Sequence, residues 1–426
     1  KPLYIGKTPK GIIFSSEMKA ILCERSFDRT LNFTAVAQHL TFLYAAGGNT
    51  VLKNVNRLAA GSFVEYCKNK EPVVKSFYNP PYGVVNKNIS EADAVSSVRT
   101  VLKTAVERQM VADVEVGAFL SGGLDSSSIV AFARDLVGKP LNCFTIDYNA
   151  TKSGDQEMVS DLPYARMAAK ALDVNLHEVS VGPEMINRLP EMIYHLDEPV
   201  ADPAILNALF ISELAQKNGI KVLLSGAGGD DIFTGYRRHL ALSLEKYWAW
   251  LPQSARGLIS KSVDSLSTSN STHRRIRKLF QYASLSGDER IISYFYWLDP
   301  SNAINLLSPD VRHEVDVSQI SAPFSSALKQ CPDDVPDINK MLDLEMRFFL
   351  GDHNLNYTDK MSMACGVEAR VPFLDRDLIK LASELPLKYK QRGKIGKWVL
   401  KEAMRGILPG NIIDRPKTGF GVPLRS

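Results

Sequence analysis

The feature that most constrains this chain is one loop, Ser121-Gly122-Gly123-Leu124-Asp125-Ser126-Ser127, set between an apolar run and a helical pattern. Val116–Leu120 ahead of it reads as a short buried strand. The helix expected after Ser126 stops before Gly138-Lys139-Pro140. Two adjacent glycines permit positive φ and let backbone N–H groups face one concavity. The hydroxyls of Ser121, Ser126 and Ser127 add donors, and the helix N-terminus adds positive partial charge. Together they make a cradle for a phosphate or pyrophosphate. The loop is neither G-x-x-x-x-G-K-[ST], which holds a γ-phosphate, nor the G-x-G-x-x-G of nicotinamide sites. A bare strand-to-helix turn does not require this set of glycines, serines and an aspartate.

The surroundings repeat the same alternation. Leu141–Ile146, Asn175–Val181 and Gly219–Leu224 read as strands. Tyr164–Leu172, Pro183–His195 and Pro203–Gln216 read as helices. Such alternation predicts a parallel sheet with right-handed crossovers. Before it, Lys1–Tyr78 has short strand-like runs, among them Gly11–Phe14 and Gly61–Tyr66. Asn79-Pro80-Pro81-Tyr82-Gly83 is a breaker cluster. Ser90-Glu91-Ala92-Asp93 reads as a capping box opening a helix through Gln109. Beyond Tyr236 the pattern is mostly helical, with a polar loop at Ser265–Ser271.

Composition narrows the class. A length of 426 residues allows two or three domains at about 150 residues each. Apolar residues at 45% and charged residues at 23% are those of a globular chain. No apolar run approaches the roughly 18 residues of a membrane helix. A balance of 51 basic against 47 acidic residues is too even to argue for a nucleic-acid partner. Cys23, Cys67, Cys143, Cys331 and Cys365 are odd in number and form no C-x-x-C pair, which reads as reduced thiols of a cytoplasmic protein, mostly small core residues. The sequence starts at Lys1 without Met and ends at Ser426, and both ends look cut from something longer.

Ser121–Ser127 resembles the pyrophosphate loop of the N-type ATP pyrophosphatases, which split ATP between the α- and β-phosphates. The wider chain resembles glutamine-dependent asparagine synthetases. Lys1–Tyr4 and Phe14–Leu22 are similar to the end of that family's glutaminase domain. Leu223–Tyr236 is similar to its second nucleotide loop; Asp359–Ala364, Gly366–Asp375 and Arg415–Phe420 are similar to its C-terminal signatures. The resemblance implies an α/β fold: a parallel-sheet adenine nucleotide α-hydrolase-like (PP-loop) domain with a C-terminal helical lobe, preceded by a partial Ntn-type α+β glutaminase domain. It implies a glutaminase remnant at 1–78, a linker at 79–89 and the synthetase domain at 90–426.

Residue roles follow. A carboxylate inside a phosphate loop repels phosphate unless a cation intervenes. Asp230, just past another strand, lies beside the crevice expected at strand C-termini. Asp125 and Asp230 therefore read as Mg²⁺ ligands, as the resemblance also implies, with Asp231 the weaker candidate. Asp230 as a helix N-cap is the structural alternative. Ser225 and Gly226 would let backbone approach the nucleotide. By resemblance Leu120 and Ile146 contact the adenine; plain core packing is the alternative. Lys397 could neutralise charge as pyrophosphate leaves, although Lys394 stands close by. Arg415 and Lys417 are further phosphate candidates. Glu368 could orient the acceptor or move protons and Arg370 could bind a carboxylate, or the two could form a pair that organises the lobe. His195–Pro199 and Ala201–Pro203 read as acceptor-pocket lining.

The resemblance implies ATP- and Mg²⁺-dependent adenylation of a carboxylate, aspartate, followed by attack of glutamine-derived ammonia to give asparagine, AMP and pyrophosphate. One departure bears on the acceptor. Where the family's second loop has Glu, this chain has Ala227. Methyl for carboxylate removes a charge and a hydrogen-bond acceptor, which leaves room for a different acceptor substrate; the loop is similar to those of amidotransferase-like relatives in bacterial surface-polysaccharide pathways, a resemblance that implies a sugar carboxylate such as a uronic acid. Cys23 and Cys67 are internal and cannot act as the family's N-terminal nucleophile, so ammonia is expected from a glutaminase domain upstream of Lys1. Intramolecular amide closure, as in β-lactam synthetases, and tRNA modification on the same ATP loop are the remaining enzymatic alternatives, and a scaffold that merely keeps the fold is the non-enzymatic one. Whether the protein acts as a homodimer stays open.

Overall fold

The computed structural model describes residues 1–9, 11–67, 70–148, 161–200, 202–266 and 271–416. The N-terminal part is built on β1 (Tyr4–Thr8), β2 (Gly11–Ser15) and β3 (Val55–Arg57), an antiparallel sheet in the order β2-β1-β3. Tyr4, Met18, Ile21, Phe27, Leu52 and Val55 form a small core beneath it. Helix α1 (Phe33–Phe42) lies between β2 and β3, and its Phe42 and Ala37 join the core of the C-terminal lobe. A hairpin, β4 (Ser62–Glu65) with β5 (Val73–Ser76), completes the segment. Both strand-like runs read from the sequence are strands.

Helix α2 (Glu91–Met110) starts at Ser90, whose hydroxyl oxygen accepts the Asp93 N–H at 3.1 Å. The return arm of a capping box is replaced: Asp93 takes the Ser90 hydroxyl at 2.6 Å. The central sheet holds β6 (Val116–Phe119), β7 (Asn142–Tyr148), β8 (Asn175–Val181) and β9 (Val222–Leu224), with a fifth strand, β10 (Glu368–Arg370). Its order is β10-β9-β6-β7-β8 and every pairing is parallel. The crossovers are α3 (Leu124–Ala133), α4 (Leu162–Leu172), α5 (Leu189–Leu196) and α6 (Ala204–Lys217).

Period-2 alternation sends the side chains of each strand to two separate cores. Val116, Ala118, Cys143, Val222 and Leu224 face α2 and α3. Phe144, Ile146 and Leu223 face α6 and α7 (Leu355–Ala364). Both faces are covered, as an all-parallel sheet requires.

Four expectations shift. Helix α3 begins at Leu124, so Asp125, Ser126 and Ser127 lie in its first turn. Pro183–His195 is two pieces, a 3₁₀ stretch at Pro183–Arg188 and then α5. The C-terminal lobe is largely helical but contributes β10 to the sheet. Its long helix runs from Asp337 to Ala364 with a π-helical segment at Glu345–Asn354. Only Cys143 and Cys365 are buried, while Cys23 and Cys67 are exposed, so most of the thiols are not core residues. Most of the Ser265–Ser271 loop lies outside the described residues. Among the described residues no helix is long and apolar enough to cross a membrane.

Candidate active site

The site lies past the carboxyl ends of β6 and β9, where open α/β sheets place ligands. Gly122 has φ +68°, and a methyl there would sit 2.2 Å from the Tyr164 carbonyl carbon. The turn therefore needs glycine for conformation and for packing against α4. Gly123 has φ −80° and meets only Ser121 Oγ at 3.4 Å, so the doubled glycine does not give two left-handed residues. The hydroxyls brace the bend. Ser121 N–H donates to Ser126 Oγ at 3.2 Å, and Ser126 Oγ donates to Gly123 O at 3.3 Å. Ser127 is fully buried, and among the described residues its Oγ has no hydrogen-bond partner.

The second loop presses on the first. Ser225 N–H donates to Arg370 O at 2.8 Å and Ala227 N–H to Ser225 Oγ at 3.2 Å. A methyl on Gly226 would stand 2.8 Å from Ser126 N, and one on Gly229 would stand 2.6 Å from Asp125 Cγ. Gly228, at φ +90°, caps the short helix Gly229–Ile232. Asp230 is thus a first-turn residue, not the N-cap. Asp231 is 1% exposed and accepts the Tyr236 hydroxyl at 3.3 Å.

Lys397 closes the site from the C-terminal lobe. It caps α8 (Trp398–Met404) in a left-handed conformation, φ +55°. Its N–H donates to Phe233 O at 3.0 Å. Its Nζ lies 2.5 Å from Asp125 Oδ2 and also pairs with Asp230 Oδ1. Burial works against this charge, but Asp125 and Asp230 outweigh it and hold the ammonium above the ordinary lysine range. Lys394 is exposed, so burial separates two lysines that the sequence could not.

Arg415 supports the loop from behind. Its guanidinium donates to Ser121 O at 3.1 Å, pairs with Asp161 and stacks 3.9 Å from the Tyr164 ring centroid. Lys417 and Ala201 lie outside the described residues. Leu120 is 1% exposed and belongs to the first core, and Ile146 is 6% exposed and belongs to the second. Glu368 also stands apart. It pairs with Val222 at the amino end of β9, and Val222 pairs with Val116 at the start of β6. Arg370 lies 3.3 Å from Glu368 and donates to Gln109 O and Val111 O, each at 2.8 Å. The His195–Pro199 stretch meets the N-terminal segment. Asp197 accepts the N–H groups of Met18 and Lys19 at 3.0 and 3.1 Å, and pairs with Lys19 at 2.9 Å and Lys360 at 2.6 Å. No spacing signal marks that group, since Lys360 and Asp197 are 163 residues apart.

A parallel sheet with a glycine–serine loop after β6, whose Asp125 meets Asp230 from the loop after the neighbouring β9, has the architecture of an adenine nucleotide α-hydrolase-like (PP-loop) fold. The chain belongs to the asparagine synthase family, whose profile matches residues 97–426. A glutamine amidotransferase domain profile matches residues 1–78. Asparagine synthetase [glutamine-hydrolyzing] 1 of Bacillus subtilis is 28% identical over 429 residues, 100% of this chain and 64% of the relative. A putative asparagine synthetase [glutamine-hydrolyzing] of Mycobacterium tuberculosis is 30% identical over 436 residues, with the same coverage of 100% and 64%. The chain thus spans about two-thirds, 64%, of the length of these relatives. The solved NMN synthetase of Francisella tularensis is similar over 61% of this chain and 95% of its own, at TM-score 0.25 and 13% identity, too slight a likeness to bear on fold or function.

Proposed function

We propose that this chain is the synthetase part of an AMP-forming ligase that makes an amide from a carboxylate and ammonia. The observation that carries the reading is the convergence of Asp125, Asp230 and Lys397 over the Ser121–Ser127 loop. Family membership supports the same reaction class. Residues 1–78 are then the end of a glutaminase domain, 79–89 a linker and 90–426 the synthetase domain, acting in the cytoplasm with ammonia from a glutaminase domain upstream of Lys1.

The loop and the α3 N-terminus hold the β- and γ-phosphates of ATP. A substrate carboxylate oxygen displaces pyrophosphate from the α-phosphorus, and ammonia then displaces AMP from the acyl carbon. Lys397 supplies a fixed positive charge where negative charge accumulates on the departing pyrophosphate. The two converging carboxylates of Asp125 and Asp230 fit a hard divalent cation such as Mg²⁺. That ion would neutralise phosphate charge; Asp125 and Asp230 are the residues that would hold it. Arg415 positions the loop by holding the Ser121 carbonyl.

Aspartate is the first acceptor to test. Ala227, where the family's second loop has Glu, supports a second reading with a different acceptor, the uronic-acid carboxylate that the resemblance of this loop implies. Pyrophosphate exchange into ATP across a panel of carboxylates, with ammonium supplied, tests both. Exchange with aspartate alone selects the first reading and exchange with a uronic acid selects the second. Release of orthophosphate only would refute the class.

A further inference from the structure

The seam between the N-terminal segment and the synthetase core is lined by ionisable groups withdrawn from water. Tyr4 is 0% exposed, His39 5%, Arg57 8% and Glu198 2%. Groups buried to this extent ordinarily fill their hydrogen-bonding capacity. Here they do not. Among the described residues, both ring nitrogens of His39 and Glu198 Oε1 have no hydrogen-bond partner. His39 Nε2 stands 3.2 Å from Glu198 Oε2, near enough for charge pairing but out of hydrogen-bond alignment.

Arg57 and Asp197 of the seam are matched. Arg57 holds Asp352 at 2.9 Å and donates to Ala45 O at 3.2 Å. Asp197 is taken by Lys19 and Lys360. His353, further along, faces Asp202 at 3.5 Å and the Tyr44 ring, and among the described residues its Nε2 likewise lacks a hydrogen-bond partner, but it lies within the C-terminal lobe and not across the two matched regions. Glu198 has, among the described residues, only the imidazole of His39 within ion-pairing distance. A buried carboxylate oxygen beside an imidazole with open nitrogens suits a small cation that donates hydrogen bonds. The pair also spans the two matched regions: His39 comes from within 1–78 and Glu198 from within 97–426.

We propose that His39 and Glu198 form a station that binds ammonium and releases it as ammonia toward the synthetase site, an inference that rests on the ligase reading above. An N–H bond of ammonium breaks, and its electron pair stays on nitrogen as ammonia. The proton forms the second N–H bond of the His39 ring, and Glu198 stabilises the resulting imidazolium. Proton transfer to a water entering the seam resets the pair. His39 is thus a proton acceptor that touches the nitrogen substrate, and Glu198 orients and supports it.

The test splits the nucleophiles. Hydroxylamine is already neutral at neutral pH and needs no deprotonation. In the chain as it stands, His39→Gln and Glu198→Gln should raise the KM for ammonium at least about tenfold while leaving hydroxylamine-supported pyrophosphate release within about twofold. Equal effects on both nucleophiles, or none on either, would overturn the station. Thallium(I), close to ammonium in size and charge, gives a readout independent of any acceptor. An anomalous peak within ligand distance of Glu198 Oε1 in wild-type crystals that vanishes in E198Q supports the site, and no peak overturns it. Wild type that makes no amide with either nucleophile, yet shows the peak, would overturn the ligase reading and leave the cation site standing.

Discussion

Replacing Lys397 by Met tests the site most directly. The substitution keeps most of the apolar volume and removes the charge. At 2.5 Å from Asp125, and with an effective dielectric constant of about 20, the gross attraction is about 7 kcal/mol. Desolvation of the buried ammonium offsets part of it, and removing one partner of such a pair typically costs about 3–5 kcal/mol. The sign with pH is fixed. Lys397 titrates above the ordinary lysine range, so its stabilisation is fully present below about pH 10.4 and is lost only as pH rises through the raised value. The stability difference between wild type and K397M in urea melts should therefore stay constant from pH 6 to pH 9, values chosen below the ordinary lysine range. Activity should fall further than folding accounts for. Losing one preorganised charge at the departing group costs about 10²–10³ in rate, read as pyrophosphate release at a temperature where both proteins are folded. K397R keeps the charge and should recover part of it. A folded K397M that releases pyrophosphate at more than about a tenth of the wild-type rate would refute the role given to Lys397.

Gly122→Ala should destabilise by more than the about 1–2 kcal/mol of a left-handed backbone, because the methyl also meets the Tyr164 main chain at 2.2 Å. Gly123→Ala should melt within about 1 kcal/mol of wild type; equal melting of the two variants would contradict the bend described here. At Asp197 burial pushes the carboxyl up, but Lys360 and Lys19 outweigh it and hold it below the ordinary aspartate range. Its stabilisation is present above about pH 3.9 and disappears as pH falls through the lowered value, so the stability gap between wild type and Asp197→Asn in urea melts should close on strong acidification. Arg415→Met should raise the KM for ATP more than it lowers kcat, since the guanidinium holds the loop carbonyl and not a reacting atom.

How much of this was legible depends on whether the signal is local. The loop and strands β6 to β9 show in the sequence because apolar runs, glycines and hydroxyls sit next to one another. Strand β10 does not, because Glu368-Ala369-Arg370 has neither apolar run nor period and becomes a strand only by pairing with β9. The same pairing explains why Glu368, grouped by motif with the acceptor, stands at the amino end of the sheet. Lys397 and Asp125 are 272 residues apart, so no spacing rule predicts their contact. Gly123 shows the converse. Composition suggests a second permissive residue, but the backbone uses only Gly122 that way.

The placement of Lys397 explains why a helical lobe must accompany the sheet. Three distant parts of the chain meet at the site, and main-chain bonds register them. Ser225 N–H reaches Arg370 O, Glu368 N–H reaches Lys221 O at 2.8 Å, and Lys397 N–H reaches Phe233 O. Gly235 admits the contact, since a methyl there would fall 1.8 Å from Asp230 Oδ1 and 2.2 Å from Lys397 Cε. The backbone of Lys397 is anchored on Phe233 O, and its ammonium is held by Asp125 and Asp230. Yet one ammonium against two carboxylates leaves a net negative charge facing the phosphate loop. A triphosphate bound there would add more, and buried like charges without compensation are strongly disfavoured. Under the ligase reading, charge balance predicts that nucleotide binds only with a divalent cation; ATP titrations with and without Mg²⁺ check this, and equal affinity in both would refute it.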